Sequence, residues 1–157
     1  MNILSPITEQ DMRVFLDSVT RYFEDITRHP AEVKPAYLSG EEGPIAYDFT
    51  GKISISGDFH GCIYFTAQRV LLKHLLIAMK ELEHHEENML DLVGEVANTF
   101  AGNARRHFGE KFNISVPSCL GSHQDRSFDT GSRPYVIPIQ WRAYNSALVV
   151  CVAGNAN

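Results

Sequence analysis

Asp91-Leu-Val-Gly-Glu95-Val-Ala-Asn98-Thr-Phe-Ala-Gly102-Asn-Ala104 places two carboxylates, a carboxamide and a bare glycine at helical spacing. At ~100° per residue, with Leu90 at zero, Asp91 falls at ~100°, Glu95 at ~140°, Asn98 at ~80° and Gly102 at ~120°, on one flank of one helix. Leu90, Val93, Ala97, Ala101, Ala104 and Phe108 cluster about zero and form the stripe expected to be buried, which Val96 and Phe100 widen. A helix that only packs fills its polar flank with Lys, Arg and Glu. Here Asn98 and Gly102 sit mid-helix, and a glycine there costs ~1 kcal/mol of helix propensity. Something other than helix stability selects them.

Working outward, this helix is expected from about Glu87 to His107, with Gly109 as its stop. Upstream, Thr8 with Asp11 resembles a capping box. Behind it Met12, Phe15, Val19, Tyr22, Phe23 and Ile26 recur at helical spacing, which predicts a helix over Glu9–Thr27 closed by His29-Pro30. Strands are expected around Val33–Leu38, Ile45–Ser56 and Gly61–Thr66, the last two as a hairpin turning at Gly57-Asp58. Thr66 is expected to cap a helix over Gln68–Glu81, and Glu83-His84-His85-Glu86-Glu87 to form a short polar joint. Three further strands are expected at Phe112–Cys119, Tyr135–Arg142 and Ala147–Ala153, with Pro117, Pro134 and Pro138 confined to ends, edges or bulges. Ser122–Arg133 is polar and reads as a mobile loop.

The order helix, three strands, helix, then helix, three strands suggests a faint internal duplication within one domain over residues 1–157. Matching Val19 with Val96 and Phe23 with Phe100 sets Ser18 opposite Glu95 and Arg21 opposite Asn98. The polar set therefore occurs once, and one site is expected.

An apolar content of 44% with 21% charged residues suits a globular domain large enough to bury its own core. A net charge of −5 leaves no basic stripe for nucleic-acid phosphates. Met1–Thr8 has no export-signal pattern, and the apolar run Val70–Met79 is short and interrupted by Lys73 and His74, so a cytoplasmic location is expected. Cys62, Cys119 and Cys151 lack CxxC spacing and read as small buried hydrophobes. Adjacent His84, His85, Glu86 and Glu87 do not converge on one ion and no second cluster completes a site, so no metal is expected here. Arg105 and Arg106 flank the polar stripe, where the helix dipole explains them at least as well as docking of an acidic partner does.

Glu95 and Asn98 are one turn apart and project the same way. A carboxamide offers a donor and an acceptor, so it can hold a water in line with phosphorus without taking the proton. A neighbouring carboxylate can pair with a partner's lysine and fix its register. Phosphoryl transfer asks mainly for positioning and charge stabilisation. The pair thus suits an enzyme that completes another protein's half-built site. The plainer reading is a solvated Glu and a packing Asn.

Gly94-Glu95-Val-Ala-Asn98-Thr-Phe-Ala-Gly102-Asn103-Ala104 resembles the active-site helix of CheX, a chemotaxis phosphatase family related to CheC and FliY. Asp91, Glu95 and Asn98 match its pattern of an acidic residue or Ser, then Glu four on, then Asn three further. Phe112-Asn-Ile114-Ser115-Val-Pro117 with Gly121 resembles the family's "IS-P…G" strand, and Val136-Ile-Pro138-Ile its closing sheet. The resemblance is closest over Leu90–Gly121, continues to Ala153, and is only architectural before Thr66.

The resemblance implies an α+β fold, with long helices packed on a mixed, mostly antiparallel six-stranded sheet, commonly as a homodimer. It implies hydrolysis of the aspartyl phosphate on a CheY-type response regulator. Glu95 would pair with a regulator lysine, Asn98 would orient the attacking water, and Asp91, Gly102 and Arg105 would support docking. The chain would need no cofactor of its own, because the Mg²⁺ belongs to the regulator. It departs from CheC, whose two halves each carry the motif. Two other readings use the same helix. One is a non-enzymatic module that holds a regulator or scaffold; the other is a structural dimer with Asn98 buried between subunits.

Overall fold

The Thr8 hydroxyl accepts from the Asp11 N–H at 3.1 Å, and the Asp11 carboxylate accepts from the Thr8 N–H at 3.1 Å. This reciprocal cap starts α1 (Glu9–Thr27), which ends where Arg28 turns to a left-handed φ of 60°. The computed structural model describes residues 3–40, 44–121 and 133–156. With α1 come α2 (Arg69–Ala78) and α3 (Glu86–Phe108). The strands are β1 (Ile3–Pro6), β2 (Glu32–Val33), β3 (Tyr37–Leu38), β4 (Phe49–Gly57), β5 (Phe59–Ala67), β6 (Phe112–Ile114), β7 (Ser118–Leu120), β8 (Tyr135–Trp141) and β9 (Tyr144–Ala156).

The sheet runs β2-β8-β9-β5-β4-β6, and every described pairing is antiparallel. Among the described residues, nine strand segments replace the expected six because several share a lateral position. Both β2 and β3 pair with β8, both β6 and β7 pair with β4, and β1 continues along β9 beyond β8. The order has a pseudo-twofold character. Hairpins β4–β5 and β8–β9 meet through β5 and β9 at the centre. The short strands after α1 cross to β8 of the second half, and those after α3 cross to β4 of the first. This is an internal duplication with exchanged outer strands.

Local chemistry explains the departures from expectation. Pro117 interrupts the single strand expected over Phe112–Cys119 and leaves β6 and β7 on either side. Lys34-Pro35-Ala36 divides the other edge in the same way, and the Pro138 carbonyl accepts from the Lys34 N–H at 2.9 Å in that gap. Pro138 is tolerated inside β8 because its missing N–H faces this broken edge. Thr66 does not cap α2. It lies inside β5, where its hydroxyl accepts from the Tyr47 N–H at 2.7 Å and bonds the Thr50 hydroxyl at 3.0 Å. Gln68 is the N-cap, and the Asp48 carboxylate accepts from the first-turn Arg69 N–H at 2.8 Å. The expected loop Ser122–Arg133 lies outside the described residues up to 132.

The helices cover one face of the sheet. Phe15, Val19 and Phe23 of α1, Leu71, Leu72 and Leu75 of α2, and Val93, Val96 and Phe100 of α3 meet Ile53, Ile63, Phe65 and Trp141 there. Full burial of each such side chain contributes roughly 1.5–3 kcal/mol. The alternate residues Cys62, Tyr64, Val149 and Cys151 form a smaller apolar cluster on the other face. Among the described residues, no helix is long and apolar enough to cross a membrane.

Candidate functional site

α3 is held at both ends. The His85 N–H donates to Asn88 Oδ1 at 2.9 Å before the first turn. Glu86 and Glu87 sit at the positive end of the helix dipole, and Arg105, Arg106 and His107 at the negative end. Its middle lies directly on β4, where a Cβ on Gly51 would collide with the Val93 carbonyl. The helix cannot roll at that contact.

Its buried residues are Met89, Leu92, Val93, Gly94, Val96, Ala97, Phe100, Ala101 and Ala104. On the angular scale used above these centre at ~−60° rather than at zero. Leu90 and Phe108, expected in the buried stripe, are accordingly only half-buried. The polar positions at ~80–140° are therefore not a flank of the helix. They are the ridge opposite the sheet, and Asp91, Glu95 and Asn98 are all exposed on it.

Beside the ridge lies an open groove of about 590 Å³, lined by Asp91, Gly94, Glu95 and Asn98 on α3 and by Ile114, Ser115, Val116, Pro117 and Cys119 on the β6–β7 segment. Gly94 sets the width of its floor. A Cβ there would stand 2.7 Å from Cys119 Sγ and 3.2 Å from Pro117 Cβ. The far wall is tied to the sheet, because Ser115 Oγ accepts from the Ser54 N–H at 2.9 Å and the Ser115 N–H donates to the Ser54 carbonyl at 3.0 Å. Gly102 and Arg105 line an adjoining groove that shares Ile114. A Cβ on Gly102 would meet nothing within 4 Å, so intramolecular packing does not require this glycine.

Among the described residues, the Asp91 and Glu95 carboxylates and the Asn98 carboxamide have no hydrogen-bond or ion-pair partner. Their charge still acts on neighbours. Burial, and then the Glu95 charge, push the Tyr22 hydroxyl well above its ordinary pKa. Burial, and then the Asp91 charge, likewise raise the Cys119 thiol, against a lowering backbone hydrogen bond from Gly94. The site is thus an exposed acid–amide pair on a fixed helix, next to a narrow groove.

The family model described as chemotaxis phosphatase CheX matches residues 49–140, more than half of the chain and the whole of this site. The chain belongs to the CheX family. The match begins at Phe49, upstream of Thr66, where the sequence resemblance was only architectural. No match is found among curated proteins. Among solved structures, a CheC-like superfamily protein from Shewanella sp. PV-4 superposes with a TM-score of 0.80 at 19% identity, covering 94% of this chain and 100% of that one. Chemotaxis protein CheX from Vibrio vulnificus gives 0.77 at 20% identity, with 91% and 99% covered. The CheX–CheY–BeF3–Mg²⁺ complex from Borrelia burgdorferi gives 0.71 at 16% identity, with 93% and 97% covered. At these identities the likeness is one of fold.

Within this CheX-family framework, Asp91, Glu95 and Asn98 share one groove, while Gly102 and Arg105 belong to the next. Sequence reasoning missed Tyr22 and Cys119 as neighbours of the acidic pair. It assigned Tyr22 to the apolar stripe of α1, and it read Cys119 as a buried hydrophobe, whereas the structure leaves it half-buried in the groove wall. Cys62 and Cys151 are buried. Ile114-Ser115-Val-Pro117 was legible as a family strand motif, yet nothing local indicated that it walls the site.

Ser18 and Arg21 take a different course. Ser18 is buried and its hydroxyl accepts from Asn103 Nδ2 at 2.7 Å, which locks α1 to α3. Arg21 lines a cleft of about 740 Å³ between those helices with Asp17, Asp25 and Arg106. Two of the histidines have local partners: His84 Nε2 bonds the Glu81 carbonyl at 2.8 Å, and His74 stacks on Tyr144. Among the described residues, no three His, Cys, Asp or Glu residues are grouped to hold a metal ion.

Proposed function

We propose that this chain hydrolyses the aspartyl phosphate of a CheY-type response regulator. The Asn98 side-chain carbonyl accepts from a water O–H and holds the oxygen in line with phosphorus. Water oxygen bonds to phosphorus as the acyl-phosphate P–O bond breaks, releasing inorganic phosphate and the regulator's aspartate. Glu95 pairs with a lysine of the regulator's active site and sets the register in which Asn98 enters. The regulator brings its own Mg²⁺, which neutralises charge on the phosphoryl oxygens. Asp91 supports the docking face, Gly102 gives it clearance, and Arg105 meets acidic surface on the regulator.

The supporting observation is that Glu95 and Asn98 stand exposed, one turn apart, on a helix that cannot roll, and neither side chain has a hydrogen-bond or ion-pair partner among the described residues. The Borrelia burgdorferi CheX in complex with CheY supports this class of partner. On this reading the chain works in the cytoplasm, where such regulators are phosphorylated. The edge formed by β2 and β3, with exposed Tyr37 and Leu38, is where a second copy would form a homodimer. A monomeric mass at micromolar concentration would remove that part of the proposal.

Asn98→Ala decides the mechanism. Wild-type protein is expected to shorten the lifetime of a phosphorylated regulator, and the variant to lose that acceleration by roughly 10²-fold or more, the scale of losing one positioning group. Regulator binding and the unfolding temperature are expected to stay at wild-type values. Undiminished hydrolysis in the variant would refute the mechanism. Binding by the wild type without acceleration would mark a non-enzymatic module.

A further inference from the structure

Val116 is the one exposed large apolar residue among the described residues that lines the Glu95–Asn98 groove, and it is 85% exposed. The loop that carries it is not slack. On one side Ser115 is clamped to Ser54 through both its N–H and its hydroxyl, and Ser115 Oγ also donates to the Val116 carbonyl at 2.9 Å. On the other side Pro117 has a fixed φ and packs against Gly94, where an added Cβ would stand 3.2 Å from Pro117 Cβ. Both neighbours are pinned, so the valine between them is held out in water. It belongs to neither apolar cluster of the fold. A lone surface valine needs no explanation. A valine fixed on the rim of a site whose polar side chains also have no partner among the described residues has its ordering entropy already spent before any partner arrives.

We infer that Val116 is a specificity-determining residue of this site, an apolar post that seats against the receiver-domain surface bordering the phosphoaspartate. The inference rests on the phosphatase reading and deepens it. The two walls differ in chemistry: carboxylates from Asp91 and Glu95 on α3, and Val116 with Pro117 opposite. A partner that brings phosphorus to Asn98 fills this groove and touches both walls. It therefore presents a cationic group toward α3 and an apolar patch toward Val116. The post acts on docking, before the water is placed.

The test uses full-length wild type, Val116→Ser, Val116→Ile and Asn98→Ala against a panel of receiver domains. Binding is read with receiver domains carrying beryllofluoride and Mg²⁺, and turnover with the phosphorylated forms. For the receiver that wild type binds best, Val116→Ser is expected to weaken binding and raise KM roughly tenfold with kcat unchanged, the scale of losing one buried apolar contact. Val116→Ile is expected to restore both, and all variants to unfold at the wild-type temperature. Wild-type binding by Val116→Ser, or a fall in kcat with KM unchanged, overturns the role of Val116 and leaves the hydrolysis mechanism standing. Wild-type hydrolysis by Asn98→Ala overturns the mechanism and leaves Val116 to be judged on the binding arm. Failure of wild type to bind any receiver overturns both.

Discussion

α1 and α3 open the two halves of the chain, and they treat their polar residues in opposite ways. On α1, Ser18 is buried and bonded to Asn103, so the position aligned with Glu95 serves the joint between helices. On α3, the Glu95 and Asn98 side chains face solvent and bond to nothing among the described residues. Both helices bury a broad apolar face against the same sheet. The contrast sets the candidate site apart as polar side chains without partners among the described residues, on a scaffold otherwise spent on packing.

The strongest way to break the contrast is to graft the motif onto the first half. Ser18→Glu with Arg21→Asn puts an unpaired carboxylate at a site that is only 6% exposed. It is expected to cost about 3–5 kcal/mol in urea unfolding and to add no second activity. A stable double variant with doubled turnover would show that the two helices are interchangeable.

A smaller effect separates two glycines of α3. Gly94→Val drives side-chain atoms into Cys119 and Pro117 and is expected to cost about 2 kcal/mol. Gly102→Ala projects into open space and is expected to gain about 1 kcal/mol in helix propensity while lowering turnover several-fold. Thermal melts paired with turnover assays check both signs. Unchanged turnover in the alanine variant would show that nothing approaches α3 at Gly102.

The smallest effect concerns the outer contact between the same helices, where His107 Nε2 meets Asp11 Oδ1 at 3.1 Å. Burial alone would raise the Asp11 carboxyl, but hydrogen bonds from the Thr8 backbone, His107 and the Thr8 hydroxyl hold it below 3.8. A carboxyl with a lowered pKa in the folded state stabilises above its unfolded value, so this contribution is complete above about pH 4 and fades as pH falls through the folded value. Melts between pH 6 and pH 3 are expected to show a shallower acid loss in Asp11→Asn than in wild type.

The bounds of α1 were legible because its signals are local: a capping box, one apolar period and a closing His-Pro. The ridge on α3 was legible as a set of residues but misplaced in angle. Leu92, Val96 and Phe100 are drawn inward by contact of α3 with the sheet near Gly51, forty residues away, and no local pattern reports that contact. The walls of the groove were illegible for the same reason. Gly94 meets Pro117 and Cys119 only after α3 has ended and the chain has doubled back. Strand β1 was missed because four residues without alternation carry no signal until β9 offers them a partner. The cap of α2 by Asp48 is likewise a long-range bond that mimics a local one.

The crossing of the outer strands bears on how the molecule comes together. Each half hands its margin to the other, so neither can complete its own hydrogen-bonded ladder alone. A chain severed between α2 and α3 would yield two fragments that each lack a border and become whole only by complementation. The seat beneath Asn98, α3 of the second half resting on β4 of the first, therefore exists only once the two halves have met.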